Sequence, residues 1–154
     1  MTVKTAMITD FFFITPETSV KEGLKMLHDK KVRIVPVVDE EKNYYGLFCY
    51  RTLLGKLLPL SATMESGLEN LEFTSQSNAE VSEKLEELLP EAVSNVMDTE
   101  RPTLTPTTSF WHMLLMVYKY DAPLAVLDPE TQKIVGVVSK QSSMEDLKRR
   151  LPDL

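Results

Sequence analysis

Residues 32–52, VRIVPVVDEEKNYYGLFCYRT, contain two apolar runs separated by a polar turn. The first run is rich in β-branched valine, the second reads YYGLFCY, and the DEEKN cluster between them is typical of a tight connection. The stretch therefore predicts a β-hairpin. Thr52 stands directly before LLGKLLPL, where its hydroxyl is expected to cap the N-terminus of a helix. A strand that ends at a helix N-terminus creates a place where an anion can bind.

The pattern around this hairpin occurs twice. Residues 14–20 read ITPETSV and residues 104–110 read LTPTTSF, an offset of 90, and a second hairpin pattern, LAVLDPETQKIVGVVSK, follows. Internal repeats indicate a repeated structural unit, and each copy here predicts strand, helix, strand, strand, helix. Such a unit of about 50–60 residues rarely closes a core alone, so the two copies are expected to pack on each other. The residues that match are Met7 with Met97, Leu24 with Leu114, Gly46 with Gly136 and, after a one-residue shift, Asp39 with Asp128.

The first helix of copy one has a clear beginning. Residues 11–14, FFFI, are apolar enough to predict a short strand that ends at the following Thr-Pro. Ser19 and Glu22 then predict a capping box. Gly23 inside the helix is interpreted as a close packing contact. The core-facing residues at helical spacing are Val20, Leu24 and Leu27.

The corresponding helix of copy two, FWHMLLMVYKY at residues 110–120, has two apolar stripes. Phe110, Leu114 and Val117 repeat the core stripe. Trp111, Leu115 and Tyr118 form a second stripe beside it, and a helix with two apolar faces needs two burial partners. We expect the second stripe to form a homodimer interface; the alternative is that the inserted segment 61–92 covers it.

The insert separates a first domain, residues 1–60, from a second, residues 93–154. It begins as a loop, and a helix is predicted over about 78–89, with Ser77 and Glu80 as its capping box and Pro90 as its stop. One face of this helix is apolar. In the last helix, SMEDLKRRL, Ser142 and Glu145 predict another capping box.

Composition and motifs exclude several classes of function. The net charge of −6 and the pI near 5.0 argue against nucleic-acid binding, and no apolar run approaches the ~20 residues of a membrane helix. A single cysteine fits a reducing compartment, so a cytoplasmic protein is expected. His28 and His112 have no nearby ligand partner, and no nucleophile elbow, P-loop or dinucleotide-binding turn occurs. Neither a metal site nor catalysis is predicted.

The repeated unit resembles the cystathionine-β-synthase (CBS) domain. The resemblance lies in MxxDxxxxxP ahead of the first helix, VRIVPVVD before the turn, and GLFCYRT or GVVSKQS after it; copy two has Ala125 where the family usually has proline. It implies an α/β fold of two β-α-β-β-α repeats packed as a pseudo-twofold CBS pair, with a helical insert between them. It also implies clefts between the repeats that hold AMP, ADP, ATP or S-adenosylmethionine, and a flat, disc-like dimer.

The family's ligand motif is G-h-h-[ST]-x-x-D after the last strand, where the hydroxyl meets phosphate or sugar and the carboxylate accepts two hydrogen bonds from the ribose diol. This sequence departs from the motif in both copies. Cys49 and Thr52 occupy the two positions in copy one, and Ser139 and Ser142 occupy them in copy two. Copy two is expected to be the better site, because it keeps more of the polar groups. The candidate ligand-binding residues are Thr103, Ser139, Lys140 and Ser142 in copy two, and Phe13, Arg33, Cys49, Arg51 and Thr52 in copy one.

Two functions follow from this resemblance. The first is a non-catalytic regulatory module that binds an adenine-containing ligand and transmits its presence to a separate enzyme or transporter. The second is a dimeric interaction scaffold whose clefts hold no ligand. The missing aspartates favour the scaffold, whereas the retained hydroxyls and Lys140 favour the sensor.

Overall fold

A computed structural model describes residues 1–58, 78–121 and 123–151. The predicted loop of the insert and its capping residue Ser77 lie outside these ranges. Each repeat contains a helix, an antiparallel hairpin and a second helix. The elements are α1 (Val3–Ala6), α2 (Val20–Lys30), β1 (Ile34–Val38), β2 (Tyr44–Cys49), α3 (Tyr50–Leu57), α4 (Asn78–Leu88), a 3-10 turn (Val93–Asn95), α5 (Phe110–Lys119), β3 (Leu124–Leu127), β4 (Ile134–Val138) and α6 (Lys140–Arg149).

Both predicted hairpins form. Strand β1 pairs with β2, strand β3 pairs with β4, and each hairpin has a bulge near its turn. The turns are closed by one aspartate each. The side chain of Asp39 accepts the backbone N–H groups of Glu41 and Asn43, and that of Asp128 accepts those of Glu130 and Thr131. The predicted equivalence of Asp39 and Asp128 is therefore confirmed.

The predicted strand over residues 11–14 is wrong. Only Ile14 forms a bridge, a parallel one to Val37, and in the second repeat Leu104 does the same with Val126. The Thr-Pro that follows Ile14 ends the pairing after this one residue. The phenylalanines before it are available for other contacts.

The helix caps differ in part from the prediction. Ser19 accepts the N–H of Glu22, as expected. Thr52 does not cap α3, because that helix already begins at Tyr50; its Oγ1 lies 2.8 Å from the Cys49 carbonyl, to which it donates.

The last helix also begins earlier than predicted. Ser139, and not Ser142, is the N-cap of α6, and Ser142 is the third helical residue, so the predicted Ser142–Glu145 box is wrong. Each serine hydroxyl accepts the other's backbone N–H, at 3.0 Å and 2.9 Å. Either of two serines three residues apart can serve as a helix N-cap. Ser139 does so here because β4 ends at Val138, directly before it.

The segment that leads into each repeat packs in the core of the other repeat. Val3 and Ala6 belong to the buried core of the second repeat, with Phe110 and Val126, whereas Val93 and Val96 belong to that of the first. We call residues 2–8 and 92–98 the leading segments. Each leading segment also pairs with a strand of the other repeat.

These two pairings are equivalent in the two repeats. Ile8 and Val137 exchange backbone hydrogen bonds of 2.8 Å and 2.9 Å, and Leu47 and Asp98 exchange bonds of 2.9 Å and 2.7 Å. Each leading segment thus adds a short antiparallel bridge to the outer strand of the opposite hairpin. The exchange ties the two repeats together through backbone as well as side-chain contacts.

The glycines matched by the repeat lie where the leading segments cross the strands. A Cβ on Gly46 would lie 2.6 Å from the Asp98 carbonyl oxygen, and one on Gly136 would lie 2.2 Å from the Met7 Cγ. Met97 approaches the Gly46 position to 3.3 Å in the same way. The matches of methionine with methionine and of glycine with glycine at an offset of 90 are therefore one contact made twice. Gly23 is a packing contact as interpreted, since a Cβ there would lie 2.8 Å from the Phe48 ring.

A further core lies between the two hairpins. Val38 of the first repeat packs there against residues of the second, including Ala125 and Val137, and Phe11 and Phe13 pack against the same cluster. Beside this core, the backbone carbonyl of Lys42 accepts the backbone N–H of Ile134 at 3.0 Å. The two copies pack on each other, as expected.

The insert helix α4 ends against the first repeat. Leu88 and Leu89 pack on its core, whereas Val81 at the start of the helix is exposed. The carbonyl of Leu89 accepts the N–H of Lys21, and that of Glu91 accepts the N–H of Val20, at 3.0 Å and 2.8 Å. The end of the insert therefore contributes to the start of α2.

The carboxylate of Asp146, only 4% exposed, fixes the first leading segment to α6. It accepts hydrogen bonds from Arg149 at 2.8 Å, Arg150 at 3.2 Å and the Thr5 hydroxyl at 2.9 Å. The two arginines also donate to Thr5, so their role is to hold this cluster. Burial raises the pKa of Asp146, but the hydrogen bonds from Arg149, Thr5 and Arg150 outweigh it and lower the pKa below 3.8.

We predict that Gly46→Ala lowers the free energy of unfolding by about 2–3 kcal/mol, because its methyl group displaces the Asp98 backbone from the strand. Gly55→Ala is the matched control: nothing lies within 4 Å of that site in α3, so it should stabilise by about 0.5–1 kcal/mol. Urea unfolding of both variants measures the difference. Equal effects of the two substitutions would contradict the close contact between Gly46 and the Asp98 backbone.

We predict that Asp146→Asn destabilises the protein by about 1–3 kcal/mol at pH 7, through loss of charge-assisted hydrogen bonds. A lowered pKa in the folded state stabilises above the ordinary value of 3.8, and this contribution is lost as the pH falls through the folded pKa. The difference in unfolding free energy between wild type and variant should therefore be constant from pH 7 to about pH 5 and shrink by pH 3. A difference that grows on acidification contradicts the assignment.

Candidate ligand-binding cleft

A cavity of about 650 Å³ opens between the two repeats, and residues of both line it. We call it the cleft. Its walls come from the start of β1, the ends of β2 and β4 with the first turns of α3 and α6, and the segments that follow the two leading segments. The lining residues are Ile8, Asp10, Phe11, Phe12, Lys31, Val32, Arg33, Ile34, Pro36, Cys49, Tyr50, Arg51, Arg101, Asp121, Pro123, Val137, Ser139, Lys140 and Gln141.

The cleft lies where two buried strands each end at a helix. Cys49 ends β2 and precedes α3, and Ser139 follows β4 and precedes α6. The first residues of both helices line the cavity, and the first N–H groups of a helix have no partner within it. At α3 no side chain caps them, since Cys49 makes no capping hydrogen bond. Such a place suits an anion.

The cleft carries an excess of positive charge in an acidic protein. Five cationic side chains line it, Lys31, Arg33, Arg51, Arg101 and Lys140, against the two carboxylates of Asp10 and Asp121. The whole chain, in contrast, has a net charge of −6. The charge in the cleft therefore opposes that of the rest of the molecule and favours an anionic ligand.

Two of the cations have an acidic partner, and for the other three the described part of the chain contains none. The Nε of Arg101 lies 3.4 Å from Asp98, and its guanidinium donates to the Asp121 carbonyl; Lys140 lies 4.0 Å from the Asp121 carboxylate. Within the described residues, the side chains of Lys31, Arg33 and Arg51 make no hydrogen bond or ion pair. These three cations are available to a ligand.

The lining of the cleft includes apolar and aromatic side chains. Ile34, Pro36 and Val137 are among its apolar residues, and the aromatic Phe12 and Tyr50 are 51% and 41% exposed. The ammonium of Lys30 lies 4.8 Å above the Phe12 ring, which keeps that ring face beside a positive charge. Exposed aromatic faces beside apolar groups can stack a planar heterocycle.

The structure brings five of the nine predicted ligand residues to the cleft: Arg33, Cys49, Arg51, Ser139 and Lys140. Three come from the first repeat and two from the second, so both repeats contribute to the lining of the cleft. Arg33 and Arg51 are exposed, whereas Cys49 is buried at 3% exposure.

The other four do not line the cleft. The ring of Phe13 lies in the core between the hairpins with the Lys42 ammonium 4.4 Å above it, and Thr103 is exposed. The hydroxyls of Thr52 and Ser142 already make the helix-start hydrogen bonds described above. Both positions where the family motif has a carboxylate are therefore engaged within the chain.

Sequence reasoning missed several lining residues, and the repeat itself could have found two of them. Arg101 and Asp121 are offset by 90 from Phe11 and Lys31, which also line the cleft. Lys31 caps α2 in a left-handed conformation, φ 54°, which no residue type signalled. Asp10 is part of the quoted MxxD pattern but had no assigned role.

Other chemistry has little support in the described part of the chain. No group of three His, Cys, Asp or Glu residues there is arranged to hold a metal ion. Both histidines are exposed on helices away from the cleft. Among the helices described, none combines the length and apolar character needed to cross a membrane.

Comparison with known proteins agrees with this architecture. The family model of the CBS domain matches residues 3–59. A CBS domain-containing protein from Bacillus anthracis has 18% identity and a TM-score of 0.72, over 98% of this chain and 95% of that one. The CBS-pair protein CBSX2 from Arabidopsis thaliana has 18% identity and a TM-score of 0.72, over 99% and 98%. CBSX2 in complex with AMP has 21% identity and a TM-score of 0.67, over 97% of both chains.

No curated protein matches the chain. The fold and the cleft define the class of protein: two α/β repeats related by a pseudo-twofold axis with a site between them. Residues 3–59 match the CBS domain, and the chain as a whole has the fold of the solved CBS-pair proteins. The predicted fold class is confirmed, with the first strand of each repeat reduced to one bridge.

Proposed function

We propose that this protein is a non-catalytic regulatory module that binds an adenine nucleotide in the cleft and transmits its presence to a partner protein. The observation that carries the proposal is a cleft between the repeats, lined by two helix starts, three cations with no partner among the described residues, and two exposed aromatic side chains. The helix starts and cations suit phosphate, and the aromatic side chains suit a purine. The AMP complex of CBSX2, which has the same fold, supports this chemistry.

Transmission follows from the position of the cleft. Because its residues come from both repeats, a ligand that touches both favours one relative angle between them over others. The energy available for regulation is the difference in ligand affinity between those arrangements. A separate enzyme or transporter that contacts both repeats, or both halves of a dimer, would respond to the ligand.

We propose further that the second stripe of α5 forms a homodimer interface. Trp111, Leu115 and Tyr118 are 83%, 48% and 82% exposed. The described part of the insert leaves them uncovered, and large exposed apolar side chains in a row are typical of interaction surfaces. Tryptophan and tyrosine at the centre of an interface contribute much of its binding energy.

A second function, a dimeric scaffold with an unoccupied cleft, has one specific observation in its favour. Thr52 and Ser142 stand where the family motif has the ribose-binding carboxylate, and both hydroxyls are engaged. The two functions differ in a single measurable property, ligand binding.

For the ligand, we predict that AMP, ADP or ATP raises the melting temperature, because a ligand at about 100 times its dissociation constant stabilises by ~2.7 kcal/mol. Adenosine and S-adenosylmethionine complete the series. Gln141→Trp should abolish the shift by filling the cleft, since Gln141 lines it. Met144→Trp is the matched control, on an exposed position of the same helix outside the cleft. No shift with any adenine compound at millimolar concentration rejects the sensor and leaves the scaffold.

For the dimer, we predict that wild type sediments at twice the chain mass of 17.5 kDa and that Trp111→Ser with Tyr118→Ser sediments at the single mass. The double substitution removes two aromatic side chains from the proposed centre. Met144→Ser, also at an exposed apolar residue, should not change the mass. Trp111 is the only tryptophan in the chain, so its emission reports this surface directly. A monomeric wild type with blue-shifted emission instead indicates that another part of the chain covers the stripe.

A further inference from the structure

We infer that the exposed stripe of α5 packs on the first repeat of a second copy of the chain, on the outer face of its α2, and not on the α5 of that copy. This inference rests on the proposed homodimer, which leaves open which two surfaces meet. Two copies paired in this way make the same contact twice, α2 with α5 and α5 with α2. The pair therefore closes about one twofold axis.

The two repeats present these helices in equivalent ways. Ser19 and Ser109 cap α2 and α5, and each helix packs on the core of its repeat. The exposed stripe of α5 therefore has a structural counterpart on α2. At an offset of 90, the counterparts of Trp111, Leu115 and Tyr118 are all exposed and polar: Lys21, Lys25 and His28.

The outer face of α2 is cationic where that of α5 is aromatic. Within the described residues, the side chains of Lys21 and Lys25 make no hydrogen bond or ion pair. An ammonium group is attracted to the face of an indole or phenol ring, and the methylene stem of lysine can cover apolar surface. Trp111 and Tyr118 thus find suitable groups on the α2 of a second copy. A contact of α2 with α2 would instead bring the lysines of two chains together, which is unfavourable.

The charges beside the two stripes are also opposite in sign. One residue further along each helix, about 100° around its axis, α2 has Glu22 and Asp29, and the equivalent residues of α5 are His112 and Lys119. All four are exposed. Where two such helices run antiparallel across a twofold axis, these rows lie on the same side. Glu22 then stands opposite Lys119 when α2 meets α5, but opposite Asp29 of the second copy when α2 meets α2.

The neighbouring helix α3 adds apolar surface to the first repeat. Leu54 and Leu58, one turn apart, are exposed, and α2 and α3 pack over the same core. Their equivalents on α6 are Met144 and Lys148, so the second repeat has only one exposed apolar residue at these two positions. The first repeat therefore offers both apolar area and cations to the aromatic stripe.

Disulfide crosslinking distinguishes the two modes of pairing. Lys25→Cys and Leu115→Cys lie at equivalent positions in the middle of the two helix faces, and the native Cys49 is buried. The two variants, expressed together with different tags and oxidised with copper–phenanthroline, should form a crosslinked mixed dimer. Each variant alone should stay uncrosslinked. Glu130→Cys, exposed on the turn of the second hairpin, is the control and should crosslink with neither.

The cations are tested by Lys21→Gln with Lys25→Gln. Sedimentation should show a dimer weakened by about tenfold or more, because both contacts lose their lysines. The matched control is Lys4→Gln with Lys133→Gln, which changes the net charge equally at exposed positions outside α2, α3, α5 and α6. The control should leave the dissociation constant of the dimer unchanged, and circular dichroism melting should show both variants folded.

The outcomes separate the inference from the proposed homodimer. Crosslinking of Leu115→Cys with itself, or a dimer that the α2 substitutions tighten or leave unchanged, overturns the inference and keeps the homodimer. A wild-type dimer whose cysteine variants crosslink in no combination also overturns the inference alone. A monomeric wild type shows that both are wrong.

Discussion

The exchange of leading segments is the constraint on which the rest of the structure depends. Each core lacks part of its apolar packing until the segment from before the other repeat enters it. The same exchange builds the cleft. After Ile8 pairs with Val137 the chain continues into Asp10 and the phenylalanines of the cleft wall, and after Asp98 pairs with Leu47 it continues to Arg101. A site between the repeats is thus a direct result of how their cores are completed.

The backbone of the cleft is nearly symmetric, but its chemistry is not. At an offset of 90, Cys49 matches Ser139, Arg51 matches Gln141, and Lys31 matches Asp121. Paired positions therefore differ in charge or in capping ability. A ligand in the cleft meets different groups at its two ends, so one binding orientation is favoured over the reversed one. Each copy supplies part of the cleft lining, and the sequence of one copy alone does not show this.

The sequence predicted those features that depend on local pattern. The alternation and turn residues of the hairpins, the core stripes of α2 and α5, and the equivalence of Asp39 and Asp128 were all recognisable. Cap positions were less certain because Ser139 and Ser142, three residues apart, satisfy the same rule. The exchange was not predicted, since apolar periodicity shows that Val3 or Val93 is buried but not in which copy. The methionines and glycines that match at an offset of 90 are the sequence feature that reflects this exchange, because each methionine contacts the glycine of the other repeat.

The exchange has a consequence for synthesis on the ribosome. The first repeat can complete its core only after Val93 and Val96 have left the exit tunnel, and Ile8 waits for Val137, roughly 130 residues later, or on the order of 10 s at typical elongation rates. During that time the first leading segment has no native partner. The two halves are then expected to finish folding as one event, after Val137 has emerged.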